Sequence, residues 1–210
     1  ISVIPLAQSH DILKATHLKH HAHTNDPDND PDFFHGNAKN WWEAAVNVNV
    51  SYDDDGPALK AIQKHVEEDP KFKEALEKGG AWALLFYFAQ IILAVLYPLE
   101  TLLLWWIPKR VATSYLGIVF SYFPHSGLGK GRYKDTRFWT NKMPRFLNHS
   151  MQIHTMHHMY PRICHYDEAK AIEALKPFMI ERGMPGAEYI PERLRWNPVT
   201  FIKEVYFGGR

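Results

Sequence analysis

The chemistry in this chain is carried by histidine. The stretch His149-Ser-Met-Gln-Ile-His154-Thr-Met-His157-His158 contains the pattern His154-x-x-His157-His158, which also stands far upstream as His17-Leu-Lys-His20-His21. On a helix, positions i, i+3 and i+4 share one face, so each triplet aims three imidazoles at one point. Neutral imidazole is the commonest side-chain metal ligand, and two such faces together would offer six nitrogens. The chain has 13 His in 210 residues. By chance that supplies about 0.05 such triplets, and about 0.001 pairs of them. A metal site is therefore the first reading.

The other histidines are weighed one by one. His149 lies five residues before His154, off the shared face, and is read as packing. His23 is assigned to loop packing or to supporting the ligands. His10, His35, His65 and His165 are read as surface or structural. His125 follows Phe123-Pro124 at the end of an apolar stretch, where a seventh ligand or an ordinary loop histidine could sit.

Composition bounds the partners. A formal net charge of +1 gives no sign of a nucleic-acid partner. The single Cys164 excludes an internal disulfide and fits a reducing compartment, and without a cysteine set the histidines do not suggest a zinc finger. The length suits one domain. No basic region precedes an apolar run at the start, so no signal peptide is read there.

The triplets need elements to position them. Residues 1–16 carry little pattern, but Asp11-Ile-Leu-Lys-Ala-Thr is expected to open the helix of His17, His20 and His21. The next segment, His23-Thr-Asn-Asp26-Pro-Asp28-Asn-Asp30-Pro-Asp32, cannot continue a helix and is read as a turn. Its acids have three readings. They are a solvated turn, acceptors for the outer N–H of metal-bound imidazoles, or a calcium loop, for which the Gly and closing Glu are missing.

Trp41-Trp42 through Val50 alternates weakly and suits a membrane surface. Gly56-Pro57 and Asp69-Pro70 read as helix starts, with Pro at the first helical position. Leu59, Ile62 and Val66, then Phe72, Ala75 and Leu76, form narrow apolar stripes opposite wet faces, and Gly79-Gly80 is expected to end the run. Phe146 to Tyr160 is expected to be the second ligand helix. Asp167 to Arg182 reads as a helix capped by Asp167, ended by Gly183, and kinked or divided at Pro177. Asn197-Pro198 is expected to cap a last short helix.

Between the triplets the composition changes. Ala81 to Ile107 is apolar with one acid, and would span roughly 40 Å as a helix, enough for a bilayer. Pro108-Lys109-Arg110 is expected to break it, and Val111 to Phe123 is a shorter second leg of about 20 Å. The reversal falls there or at Pro98-Leu-Glu100-Thr101. Two crossings return both triplets to one side, although a hairpin buried in a soluble protein fits the same pattern. Trp105, Trp106, Phe86 and Tyr87 read as a lipid-facing belt. Lys130, Arg132, Lys134, Arg137, Lys142 and Arg145 follow the second leg, so the positive-inside bias puts the His-bearing ends in the cytoplasm. The expected fold is all-α. Residues 1–80 and 125–210 are cytoplasmic segments, each with a His box, flanking a transmembrane hairpin at 81–124.

These features resemble the membrane fatty-acid desaturase superfamily. His-Leu-x-His-His-Ala-His-Thr-Asn-Asp-Pro with Asp30-Pro-Asp32, Phe-Pro-His125 with Gly131-Arg-Tyr-x-Asp-Thr-Arg137, and His-His-x-Tyr-Pro-Arg-Ile look most like its bacterial β-carotene hydroxylase-like branch. The resemblance implies two non-haem irons, held almost wholly by imidazoles in a cytoplasmic cap over four transmembrane helices. O₂ is the co-substrate, and a ferredoxin or cytochrome b5 type donor supplies electrons to attack unactivated C–H bonds of lipids. Carried onto this chain, the metal ligands are His17, His20, His21, His125, His154, His157 and His158. The family's first box, His-x-x-x-His or His-x-x-x-x-His, should precede residue 17 and has no counterpart in His10 and His17. The resemblance thus implies an N-terminally truncated chain lacking two ligands and a first hairpin. Where the acyl-CoA branch has an Asn, this chain has Ser121.

Removing hydrogen from an alkyl chain needs an oxidant that no side chain supplies, so a redox metal must carry the step. The expected activity is O₂-dependent desaturation or hydroxylation of a long apolar chain, fatty acyl or carotenoid, entering from the membrane. The alternative is a non-catalytic metal-binding membrane protein or a degenerate relative of the family.

Overall fold

The computed structural model of the chain describes residues 9–50, 56–138, 151–164 and 167–189, and residues 152, 169 and 189 only through their backbone. Among the described residues the fold is helical, without a strand. The chain divides into two compact units, Ile1–Ile118 and Val119–Arg210, and the boundary falls inside a π-helical turn, Gly117–Tyr122.

In the first unit, helix α1 (His10–His23) carries the upstream triplet. It starts one residue before the expected Asp11, because the hydroxyl of Ser9 accepts from the Ile12 amide at 3.2 Å and caps it. A short α2 (Phe33–Gly36) and then α3 (Trp41–Val50) follow. The weak alternation of the latter segment is a helical stripe, with Trp42, Val46 and Val50 exposed four residues apart and Ala44, Ala45 and Asn47 buried. Helix α4 (Pro57–Glu68) and helix α5 (Pro70–Leu96) start at the two expected prolines. Asp69 caps α5 by accepting from the amides of Lys71 and Phe72 at 3.0 and 3.2 Å.

Three expectations about this unit are corrected. Gly79-Gly80 does not end a helix, and α5 runs through both. A Cβ on Gly79 would collide with Ser9 Oγ and lie 2.7 Å from Ile12 Cγ1, so this glycine serves the close approach of α5 to α1. Pro108 does not break the chain either. The break is at Tyr97 (φ −137°, ψ 66°), before a short α6 (Pro98–Thr101). Pro108 sits in the first turn of α7 (Ile107–Leu116), directly after a π-helical turn at Leu102–Trp106. Such a turn loosens the hydrogen-bond ladder where proline offers no N–H.

Third, the apolar segment is not one helix from residue 81 to 107. Among the described residues, one helix, Pro70–Leu96, is long and apolar enough to cross a membrane. Every residue from Ile91 to Glu100 is exposed, and Val95 and Leu104 are 75% and 78% exposed. A continuous apolar surface of this kind is a membrane or partner surface rather than a wet one. Helix α7 is fixed to α3 by polar contacts, with Asn49 Nδ2 donating to Ser114 Oγ (2.8 Å) and Ser114 Oγ to the Ala45 carbonyl (2.9 Å).

The second unit opens with α8 (Phe123–His125), followed further on by a 3₁₀ turn (Met151–Ile153), α9 (His154–Met159), α10 (Glu168–Glu181) and a 3₁₀ turn (Ala187–Tyr189). Of the expected run from Phe146 to Tyr160, the described part comprises that 3₁₀ turn and α9. Residues 139–150 lie outside the described residues, with His149, Lys142 and Arg145 among them, as do His165 and Asn197-Pro198. Met156 and Met159 turn one side of α9 into a core with Phe138, Ile153, Ile172, Met179, Met184 and Ala187. Helix α10 ends at Gly183 as expected. Gly183 has φ +61°, its amide donates to the Ile180 carbonyl, and Met184 N–H reaches the Met179 carbonyl, both at 3.0 Å. Pro177 lies inside this helix without dividing it. One detail differs, because the Asp167 side chain pairs with Lys170 at 3.1 Å instead of capping.

Candidate metal-binding faces

In the first unit the upstream triplet forms one face. His17 Nε2 and His21 Nε2 are 3.0 Å apart, and the His20 ring centre lies 5.9 and 5.8 Å from those of His17 and His21. Two imidazoles bound cis to one ion at about 2.1 Å would have their nitrogens about 3.0 Å apart. A hydrogen bond between neutral rings gives the same spacing, so the face is preformed for a metal without needing one to hold it.

His20 is buried, and its Nδ1–H donates to Asp30 Oδ1 at 2.8 Å. A carboxylate only accepts, so the proton sits on Nδ1 and Nε2 keeps its lone pair for a metal. Of the three readings of the acidic turn, the geometry realises this one. Asp30 is buried and also accepts from Asn25 N–H at 2.9 Å and from Asp32 N–H at 2.8 Å. With both oxygens engaged, Asp30 is not poised as a calcium ligand. The turn reaches this geometry through Asn25 at φ 62°, a left-handed conformation that asparagine tolerates.

Asp32 lies 3.4 Å from His35 Nε2 and 4.0 Å from His20 Nδ1. Burial pushes its pKa up, but the hydrogen bond and charge of His35 outweigh that and hold it below the ordinary value. The result is an ionised carboxylate beside the triplet.

The remaining histidines of this unit do structural work. His65 Nε2–H donates to the Asn29 carbonyl at 2.7 Å, and its ring stacks on His23 with centres 5.1 Å apart. Burial, then the charges of His65 and Lys19, lower the His23 pKa, which keeps that ring neutral. His10 is exposed on the first turn of α1.

The second unit repeats the design. His154 Nε2 and His158 Nε2 are 3.1 Å apart on α9, and the His157 ring centre is 5.4 Å from that of His154. His125 joins them across the fold, its ring centre 4.8 Å from His158 and 5.6 Å from His154. Its Nδ1–H donates to the Asp135 carbonyl at 3.1 Å, which again leaves Nε2 as the ligating atom. The structure thus gathers His17, His20 and His21 in one unit, and His125, His154, His157 and His158 in the other. No sequence signal marked the Asp135 carbonyl, because any residue supplies a backbone oxygen.

These donor sets are all imidazole, with the outer N–H of His20 and of His125 engaged, and they fit a resident transition metal. A comparison with protein families matches the model described as "Fatty acid desaturase" over residues 1–189. The chain belongs to the fatty acid desaturase family. No curated protein and no solved structure was found to match it. Family membership brings with it an oxidoreductase chemistry, di-iron centres, a lipid substrate and association with membranes. The exposed apolar helix and the histidine faces are consistent with each of these.

Proposed function

We propose that this chain is an O₂-dependent non-haem di-iron oxidoreductase that desaturates or hydroxylates a long apolar chain. The observation that carries the reading is the pair of histidine faces, each with two Nε2 atoms about one cis-ligand spacing apart and one further ring fixed through Nδ1. In this reading His17, His20, His21, His125, His154, His157 and His158 hold two irons. When bound, the irons supply the oxidising power of O₂ needed to take hydrogen from an unactivated C–H bond. The protein residues position that chemistry. Asp30 and the Asp135 carbonyl fix the tautomers of His20 and His125. The Asp32 carboxylate offsets positive charge beside the first triplet. The core behind α9 keeps the backbone of His154, His157 and His158 in place.

The finer readings belong to the same proposal. Residues 81–124 form a membrane hairpin, and the His-bearing ends face the cytoplasm, where a ferredoxin or cytochrome b5 type donor delivers electrons. The motifs around His125 and Tyr160-Pro161-Arg162 favour the carotenoid hydroxylase-like branch, while fatty acyl substrates fit the family name. The test is to purify the protein anaerobically, measure iron, and then express the complete gene in cells making β-carotene or bearing defined fatty acids. Two irons per chain with O₂-dependent lipid products support the reading. A single redox-silent zinc with no product would instead favour a non-catalytic metal-binding protein.

A further inference from the structure

Helix α3 is inside out for a helix in water. Its buried face carries Ala44, Ala45 and Asn47, whereas Trp42, Val46 and Val50 stand exposed along the opposite stripe, with Trp41 exposed beside them. A surface helix in water turns its apolar stripe to the core and its polar groups to solvent. Here the polar groups are used inside. Asn47 Nδ2 donates to the Phe34 carbonyl at 3.2 Å, and Asn49 Nδ2 donates to the Ala45 carbonyl at 2.9 Å and to Ser114 Oγ at 2.8 Å. The helix has one charge, Glu43 in its first turn, whose carboxylate accepts from the Lys39 amide at 2.7 Å. Rolling the stripe inward would break the asparagine bonds, so the exposed face is fixed.

The stripe continues a surface already described in the same unit. Helix α3 packs closely on α7 and the turn that follows it, where a Cβ on Gly117 would lie 2.7 Å from Val48 Cγ1. Arg110 ties α3 to the apolar run. Its Nη1 donates to the carbonyl and to Oδ1 of Asn49 at 3.1 and 3.2 Å, and its guanidinium lies 5.3 Å from the Trp106 ring centre. Trp106 is exposed in line with Leu102, Leu103, Leu104 and Ile107. Counted at about 1.5 Å per residue from the break at Tyr97, Arg110 is roughly 20 Å and Gly117 roughly 30 Å along the second leg. A hydrocarbon core is about 30 Å thick, so α3 meets that leg close to the boundary opposite Tyr97. Tryptophan rings, and an arginine that keeps its head hydrogen-bonded while its stem lies on apolar surface, suit that level of a bilayer.

We propose that α3 is an interfacial helix, lying between lipid headgroups and acyl chains with Trp42, Val46 and Val50 against the acyl chains. It is a membrane contact outside the hairpin, in a segment expected to be cytoplasmic. The proposal rests on the hairpin of the functional reading above and adds a second kind of lipid contact to it. The occupant is the bilayer itself, because the stripe runs on into the apolar surface of the second leg through Arg110 and Trp106. An apolar stripe held outward by a satisfied polar face is the pattern of a helix that lies on lipid.

The full chain, with the exposed thiol removed by Cys164→Ser, is reconstituted into phosphatidylcholine nanodiscs and spin-labelled at one position at a time. The stripe is sampled by Trp42→Cys, Val46→Cys and Val50→Cys. Lys60→Cys, exposed on α4, is the water reference, and Val95→Cys, 75% exposed on α5, is the lipid reference. Collisions with O₂, which concentrates among acyl chains, are compared with collisions with a water-soluble nickel chelate. The ratio of O₂ to nickel accessibility at 42, 46 and 50 should shift away from the Lys60 value toward that of Val95. Three positions on one stripe keep the test decisive if one variant does not fold. A ratio equal to that of Lys60 overturns the proposal in favour of a stripe in water. Low accessibility to both reagents overturns it in favour of cover by protein, a second copy of this chain included. Water at the stripe with lipid at Val95 removes only this proposal, whereas water at Val95 removes the membrane hairpin of the functional reading as well.

Discussion

Asp30 is the residue on which the first histidine face should depend most. Its carboxylate accepts from His20 Nδ1, Asn25 N and Asp32 N at 2.8, 2.9 and 2.8 Å, and it is 3% exposed. Asp30→Ala leaves two buried donors and a part-buried one unmatched, at about 1–3 kcal/mol each. The sum, about 3–9 kcal/mol, is comparable with the whole stability of a typical domain, so this variant should fold poorly or not at all. Asp30→Asn is gentler. Its amide oxygen can still accept from His20 and Asp32, but its NH₂ then faces the Asn25 amide, donor against donor. Losing one charge-assisted hydrogen bond costs about 2 kcal/mol, or roughly 4–8 °C in Tm for a chain of this size. The His20 ring also loses a full negative charge behind Nδ1, which should weaken iron binding by about 10- to 100-fold. Thermal unfolding followed by fluorescence, together with chelator competition for iron, reads both effects on the same protein. The reasoning fails if Asp30→Ala keeps the wild-type Tm and iron affinity, because the turn would then not be organised around this carboxylate.

Three further outcomes follow from the fold. Gly79→Ala should destabilise by about 1–3 kcal/mol through collision with Ser9 and Ile12, whereas Gly80→Ala, whose Cβ meets nothing within 4 Å, should stabilise by about 0.5–1 kcal/mol. Equal effects on Tm would disprove the close approach of the two helices. The Asp69 pKa is lowered by the hydrogen bond from Lys19, then by those from the Phe72 and Lys71 amides, so its contribution to stability is present above the ordinary carboxylate range. That contribution is lost as pH falls through the lowered folded-state value. Tm measured across acidic pH should therefore fall less steeply in Asp69→Asn than in the wild type, and parallel curves would contradict the assignment. Cys164 is exposed, so a membrane-impermeant maleimide should label it only from the cytoplasmic side of oriented vesicles. Labelling from the opposite face alone would reverse the proposed topology.

What could be read from the sequence was what depends on short spacing. The i, i+3, i+4 histidines share a face whatever surrounds them, and the proline helix starts at residues 57 and 70 reflect a local restriction on φ. The acidic turn was legible only as a group. Which acid serves His20 depends on the left-handed turn at Asn25, and that turn depends in part on Asp30 accepting the Asn25 amide. Glycine and proline misled where tertiary packing or a change of helix type overrode propensity. Gly79 reads as a stop but is a contact, and Pro108 reads as a break but follows a π turn that accommodates it. The same distinction separates His20 from His125. The support of His20 comes from a side chain and leaves a trace in composition. That of His125 comes from the carbonyl of Asp135, ten residues away across a closed loop, and any residue there would supply it. A substitution at Asp135 that preserves the loop should consequently leave the His125 tautomer intact, whereas shortening the loop by one residue should not. The orientation of His125 is a property of the loop's closure rather than of any one side chain in it.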